Sequence, residues 1–314
     1  MLAKSTDLES KKQLECLIDS KKLQFLDCKD SMQGNRVALA SYPRSGNSLS
    51  RKILEGITGI YTGSDSNIHL DQLLQHHGLI GGGIYGEDSV WVTKTHYPAF
   101  KDNFPFEVDK VVCVVRNPID VIPSLASLFG LLSHTLVPEK SWNKYTCWSD
   151  LFYYFHYSWV DYHNVLREQA KHTPTFFLTY EELMVNPVPL VKDLYCFLFD
   201  VESVDGTILE DRIVSVVGQG SMQNNAAYKL KAQAGQLYRS AHLYSSDQMK
   251  LILTEAASHL QFFDYAKSPT QTGSKTQWFE LEKYDESMSN FKQHNKHYSK
   301  MKQGDKKTFK INHE

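Results

Sequence analysis

A three-layer α/β sandwich, with a mostly parallel central sheet flanked by helices, is the architecture this sequence predicts. Two observations predict it. Short apolar runs bounded by proline, glycine or charged residues alternate with longer stretches of helical periodicity, the pattern of strands joined by crossover helices. The 314 residues are 41% hydrophobic and 22% charged, which supplies a packed core and excludes wholesale disorder.

In chain order, residues 1–35 are mixed and charged, and Leu14, Ile18, Leu23 and Leu26 predict short lead-in helices. Val37-Ala38-Leu39-Ala40-Ser41-Tyr42 is a compact apolar run stopped by Pro43 and reads as a buried strand. Leu49, Ile53 and Ile57 recur every four residues, so a helix follows and ends between Gly56 and Gly59. Residues 62–89, rich in Gly, His and Ser, read as loop. Residues 90–93 and 111–115 predict two further strands, 117–132 and 148–171 predict helices, and 175–179 predict a fourth strand with a helix through 191–199. His156 and His163, seven apart on one helix, suit a stripe better than a metal site. Beyond 267 the chain turns lysine-rich, and Trp278, Leu281, Tyr284, Met288 and Phe291 predict one amphipathic helix. The chain thus divides into an N-terminal extension (1–35), a sheet-bearing unit (36–266) and a basic C-terminal helix and tail (267–314).

Lysine plus arginine is 34 and aspartate plus glutamate 36, a formal net charge of −2. A general binder of nucleic acid is basic overall, so that class is excluded and any anion site is local. No apolar run is long enough to span a bilayer, and the first residues turn polar at once. Five cysteines (Cys16, Cys28, Cys113, Cys147, Cys196), with no C-x-x-C pair and no N-x-Ser/Thr sequon, predict a reducing, cytoplasmic compartment, a trimmed luminal form staying open.

Three strand ends carry the chemistry. After the first strand comes Tyr42-Pro43-Arg44-Ser45-Gly46-Asn47-Ser48 and then a helix: free N–H groups, a flexible glycine and a cation make an anion cradle. A plain βα turn capped by Ser and Asn is the alternative, and the spacing is not that of a Walker A loop. After the 111–115 strand comes Arg116-Asn117-Pro118-Ile119-Asp120, in which Asn117 fits an N-cap and Pro118 the first helical position. A P-loop triphosphatase places a metal-binding Asp at that strand end. This chain places Arg116, which suits a second phosphate without a metal, and Ser124 adds a hydroxyl from the helix. After the 90–93 strand comes Lys94-Thr95-His96-Tyr97-Pro98, a neutral-pH proton acceptor beside a cation. In one parallel sheet these three ends converge at the carboxyl edge, where such folds bind ligands.

These segments together resemble the cytosolic sulfotransferases that use 3′-phosphoadenosine 5′-phosphosulfate (PAPS). Residues 42–48 are similar to their Y-P-K-S-G-T-T phosphosulfate loop, residues 94–98 to K-T-H-L-P with its catalytic base, and Arg116 to Val121 with Ser124 to the R-N-P-K-D-V…S clamp on the 3′-phosphate. Thr179-Tyr180-Glu181-Glu182-Leu183, followed by Asn186-Pro187, resembles Y-E-D-M-x-x-N-P, whose tyrosine faces the adenine. The resemblance runs over about residues 37–265. It implies a P-loop NTPase-like sulfotransferase fold, with 36–266 as the sulfotransferase domain. It also implies donor contacts from Arg44, Ser45, Gly46, Asn47, Ser48, Leu49, Arg116, Ser124, Tyr180, Met222, Lys229 and Lys231, and catalysis by His96, Lys94 and Arg44.

The departures are specific. Arg44 replaces the loop lysine, Leu49 stands where the family stacks a tryptophan on adenine, and Pro123 falls inside the clamp helix. The late R-K-G-x-x-G segment is reduced to Lys231 and Gly235 with Lys229 nearby, and the C-terminal dimer motif is missing, which leaves the oligomeric state open. The expected reaction is in-line transfer of a sulfuryl group from PAPS to a small-molecule acceptor, with no metal required. Residues between Phe129 and Trp148 (Leu131, Leu132, His134, Trp142, Tyr145) suit an aromatic wall over a small alcohol, phenol or amine, or a loop packed on the core. The rival readings are a Mg-dependent P-loop small-molecule or nucleotide kinase, which needs an acidic ligand at a strand end, and a non-catalytic nucleotide-binding relative, which needs no base.

Overall fold

A computed structural model describes residues 23–26, 35–65, 79–81, 84, 89–96, 106–131, 148–218, 234–265, 291–298 and 309–311. Its strands are β1 (Val37–Ser41), β2 (Gly63–Ser64), β3 (Val92–Thr95), β4 (Phe106–Val108), β5 (Lys110–Val115), β6 (Thr175–Thr179) and β7 (Phe309–Ile311). Its helices are α1 (Asn47–Thr58), α2 (Pro118–Leu131), α3 (Trp148–Gln169), α4 (Tyr180–Val185), α5 (Pro187–Phe199), α6 (Ile208–Val217), α7 (Ser246–Glu255), α8 (Ala257–Phe262) and α9 (Phe291–Tyr298). Five strands pair in the order β2-β3-β1-β5-β6, all parallel, while β4 and β7 form a separate antiparallel pair.

The pleat divides the core into two. Val37 and Leu39 of β1, Val112 and Val114 of β5, and Phe176 and Leu178 of β6 point to one face, where α1, α5 and α6 cover them. Ala38, Ala40, Val111, Cys113, Val115 and Phe177 point to the other, beneath α2, α3, α7 and α8. Side chains of a strand alternate between faces, so a strand buried on both sides must be apolar throughout, which is why these strands read as continuous apolar runs. His156 and His163 are buried on the second face, so of the interior and surface stripes that their spacing allowed, the interior one forms.

Several boundaries differ from the sequence expectation. Leu23 and Leu26 are not helical: Gln24 forms a parallel bridge with Ile60, Leu26 N–H donates to Ser89 O (2.9 Å), and Leu26 is buried in the core. Pairing of that backbone with a distant loop overrides the helical spacing of its leucines. β3 begins two residues later than expected and contains Lys94 and Thr95, because its partner β1 extends to Ser41 and Ala40 pairs with Thr95. The short β2 lies within 62–89, read as loop, and forms because Gly63 and Ser64 pair with Thr93 and Lys94 of β3, while helices α6, α7 and α8 had no expectation attached.

Pro123 lies inside α2, which runs through it. A proline cannot donate to the carbonyl four residues back, and here that carbonyl, Ile119 O, accepts from Tyr244 Oη instead (3.0 Å). The predicted helix over 278–291 lies outside the described residues except for Phe291, which opens α9. That helix docks on the exposed edge of the sheet. Asn295 Oδ1 accepts from Phe177 N–H and its Nδ2 donates to Phe177 O, both at 2.9 Å, so one side-chain amide substitutes for a neighbouring strand.

Candidate active site

In the sheet order β3, β1 and β5 are adjacent and parallel, so the three chemistry-bearing strand ends meet at one edge. The loop after β1 turns sharply. Arg44 has φ 70° and Gly46 φ 106°, both left-handed, and Gly46 is the N-cap of α1 with no side-chain cap. Glycine is required at 46 for a second reason: a Cβ there would lie 2.7 Å from Tyr180 Cδ2. The loop and the start of α4 are therefore in contact, with the first N–H groups of α1 beside Arg44.

Arg44, Arg116 and Ser124 form one cluster. Arg44 Nε donates to Ser124 Oγ (3.2 Å), and Arg116 Nη1 donates to the carbonyl oxygen of Arg44 (3.0 Å). The Arg116 guanidinium lies over the Tyr180 ring, 4.8 Å from its centroid, which fixes its plane. Ser45 Oγ and Arg116 Nε are buried with no hydrogen-bond partner among the described residues. Buried donors without partners are costly, and an anionic ligand seated at this edge offsets that cost. The residues present thus fit a phosphorylated ligand.

His96 follows β3 directly. Its Nδ1 lies 2.8 Å from Ser41 O and 3.3 Å from Ser41 Oγ. A carbonyl only accepts, so Nδ1 carries the proton and Nε2 keeps its lone pair. Crowding out of water and the neighbouring Lys94 cation, with Arg51 adding, hold the His96 pKa well below its ordinary value. The ring is therefore neutral across the physiological range, in the tautomer a base needs. Lys94 itself is buried on β3.

The side chains of the other expected residues are placed differently. Asn47 turns its side chain inward: Nδ2 donates to Leu39 O (3.1 Å) and Ser41 Oγ (3.0 Å), tying α1 to β1. The Leu49 side chain packs in the core between α1 and the sheet. An aliphatic side chain on the inner face of α1 gains more from burial there than from exposure at the cleft. Ser48 is half-exposed on the first turn of α1. Met222, Lys229 and Lys231 lie outside the described residues, as does the expected acceptor wall over 132–147. At its two ends Phe129 is exposed, while Trp148 packs against Phe152 and Tyr244.

Two buried carboxyl groups beneath Arg116 escaped the sequence reading. Glu181 Oε1 accepts from Asn117 N–H (3.1 Å) and its Oε2 from Tyr265 Oη (2.6 Å). Burial pushes the Glu181 pKa up to about 7, against the opposing pull of the Tyr265 hydroxyl, Arg116 and the Asn117 N–H. Asp120 accepts from Tyr238 N–H (2.8 Å) and Ser240 N–H (2.9 Å), and burial raises its pKa too. Both lay within quoted motifs, and an acid beside each motif's key residue was the available signal. Asn117 does cap α2, its Oδ1 accepting from Ile119 N–H (2.8 Å).

Residues 83–242, just over half of the chain, match the family model of the sulfotransferase domain. The chain belongs to that sulfotransferase family. The matched span holds Lys94, His96, Arg116, Ser124 and Tyr180, whereas the loop bearing Arg44 precedes it. Among solved structures, mouse sulfotransferase SULT7A1 complexed with PAP is 17% identical over 72% of this chain and 84% of that one, with a TM-score of 0.46. Retinol dehydratase in a complex with retinol and PAP is 14% identical over 75% of this chain and 84% of that one, with a TM-score of 0.43. As a sulfotransferase, the protein has its polar loops at the carboxyl edge of a parallel sheet, and sulfuryl transfer in general is its activity. No helix among the described residues is long and apolar enough to cross a membrane.

Proposed function

We propose that this sulfotransferase moves a sulfuryl group from PAPS to a hydroxyl or amine of a small-molecule acceptor, with His96 as general base. The observation that carries the reading is the His96 ring, a neutral imidazole whose Nδ1–H is engaged by Ser41 O at 2.8 Å. Its Nε2 takes the acceptor proton as the acceptor oxygen or nitrogen bonds to sulfur. The bond from sulfur to the bridging phosphate oxygen breaks in line, and adenosine 3′,5′-bisphosphate leaves. Arg44 and Lys94 stabilise charge developing on the sulfuryl and bridging oxygens. The N–H groups at the start of α1 hold the 5′-phosphosulfate, and Arg116 reads the 3′-phosphate with Ser124 beside it.

Residues 36–266 are the catalytic unit in this reading, and a cytoplasmic location follows from the cysteine usage. The test is an acceptor screen with isotopically labelled PAPS, scored by mass spectrometry, on wild type and His96→Ala. General-base catalysis contributes roughly 10²–10⁴-fold, so the variant should lose turnover on that order while still binding adenosine 3′,5′-bisphosphate. Full turnover by His96→Ala on the identified acceptor would remove the histidine from this role.

A further inference from the structure

We infer that Arg116 is also a positioning residue for Arg44, so that the two phosphate-reading ends of the donor site are mechanically coupled through one hydrogen bond. The inference rests on the donor reading above and goes beyond it, since a 3′-phosphate clamp has no need to touch the transfer loop.

Arg116 Nη1 donates to the main-chain carbonyl of Arg44 at 3.0 Å, across 72 residues of sequence. That carbonyl belongs to a residue with φ 70°, a left-handed conformation that costs a non-glycine residue roughly 1–2 kcal/mol and persists only where its surroundings enforce it. Three contacts supply the enforcement. The Arg44 side chain reaches Ser124 Oγ at 3.2 Å, and Arg116 holds the Arg44 carbonyl. Tyr180, which supports the plane of Arg116 at 4.8 Å, also lies against Gly46 on the far side of the turn. Arg116 is itself held from below, because Asn117 N–H is anchored on Glu181 Oε1 at 3.1 Å. The guanidinium presents several donors in one rigid plane, so one can hold the Arg44 carbonyl while others face a phosphate. A phosphate that orders Arg116 therefore also orders the backbone that carries the Arg44 side chain, whose Nε donates to Ser124 Oγ.

A double-mutant cycle on ligand binding separates this role from the clamp. Isothermal titration would use adenosine 5′-phosphosulfate, which lacks the 3′-phosphate, and adenosine 3′,5′-bisphosphate, on wild type, Arg116→Ala, Arg44→Ala and the double variant, each checked for folding by its melting curve. Arg116→Ala should weaken adenosine 5′-phosphosulfate by roughly 3- to 10-fold when Arg44 is present, the value of one hydrogen bond, and should have little further effect in the Arg44→Ala background. Arg116→Lys, whose ammonium can still donate to a carbonyl, should recover most of that loss. An unchanged affinity in Arg116→Ala, or equal losses in both backgrounds, overturns the coupling. Failure of the donor reading is separately visible: adenosine 3′,5′-bisphosphate would then lose no more than adenosine 5′-phosphosulfate on removal of Arg116. Should Arg116→Ala fail to fold, the cycle is run with Arg116→Met, which keeps an aliphatic stem of similar length and removes every donor.

Discussion

Replacing Glu181 by glutamine should make the protein more stable in mild alkali and erase part of its dependence on pH. Glu181 is 7% exposed, and burial raises its pKa from 4.5 to about 7. Because the folded value lies above the unfolded one, the native state binds the proton more tightly. The resulting stabilisation is full below about pH 4.5 and is lost as pH rises through 7. At 1.36 kcal/mol per pKa unit, the loss amounts to about 3 kcal/mol. Glutamine mimics the protonated carboxyl: its oxygen still accepts from Asn117 N–H, and its amide nitrogen can donate to Tyr265 Oη, which now lies 2.6 Å from Oε2. Urea denaturation of wild type and Glu181→Gln at pH 5 and pH 8 measures the difference. The two proteins should be close at pH 5, with the variant ahead by about 3 kcal/mol at pH 8. Burial raises the Asp120 pKa in the same sense, and Asp120 is present in both proteins. Parallel stability curves with an unchanging gap would show that the carboxyl does not titrate there and would refute the reasoning.

Two further outcomes follow from the geometry. Gly46→Ala forces a β-carbon into a φ of 106° and to within 2.7 Å of Tyr180 Cδ2, so it should cost at least about 1–2 kcal/mol and weaken adenosine 3′,5′-bisphosphate by shifting the ring that supports Arg116. A melting temperature and bisphosphate affinity equal to wild type would contradict this. Asn295→Ala removes both hydrogen bonds to the backbone of Phe177 and should cost about 1–3 kcal/mol, with faster hydrogen exchange at the Phe177 amide. Unchanged protection of that amide would mean that α9 does not seal the sheet edge.

Much of the fold was legible because its determinants are local. A strand buried on both faces must be apolar along its centre, and 37–40, 111–115 and 176–178 are so. The start of α2 was equally legible, since Asn117 caps and Pro118 begins the helix from adjacent positions. The residues of the cleft could be named for the same reason, each lying at a strand end beside a glycine, proline or cation of its own segment. Their roles could not. The side-chain amide of Asn47 bonds β1, and the Leu49 side chain beside it belongs to the core. Which strand adopts which register decided that Lys94 lies within β3 rather than after it.

What only the tertiary structure decided are pairings between segments far apart in sequence. Glu181 meets Asn117 across 64 residues, Arg116 meets Arg44 across 72, and Asn295 meets Phe177 across 118. No periodicity or spacing encodes such contacts, because each depends on the packing of whole elements rather than on the preferences of neighbouring residues. The same packing withdraws Glu181 from water and raises its pKa, whereas it leaves His96 neutral beside Lys94. The sequence by itself determined which chemical groups reach the edge of the sheet. Burial and long-range contact decided their charge, their tautomer and which of them act on one another, since desolvation and hydrogen-bond geometry exist only once the chain has closed around them.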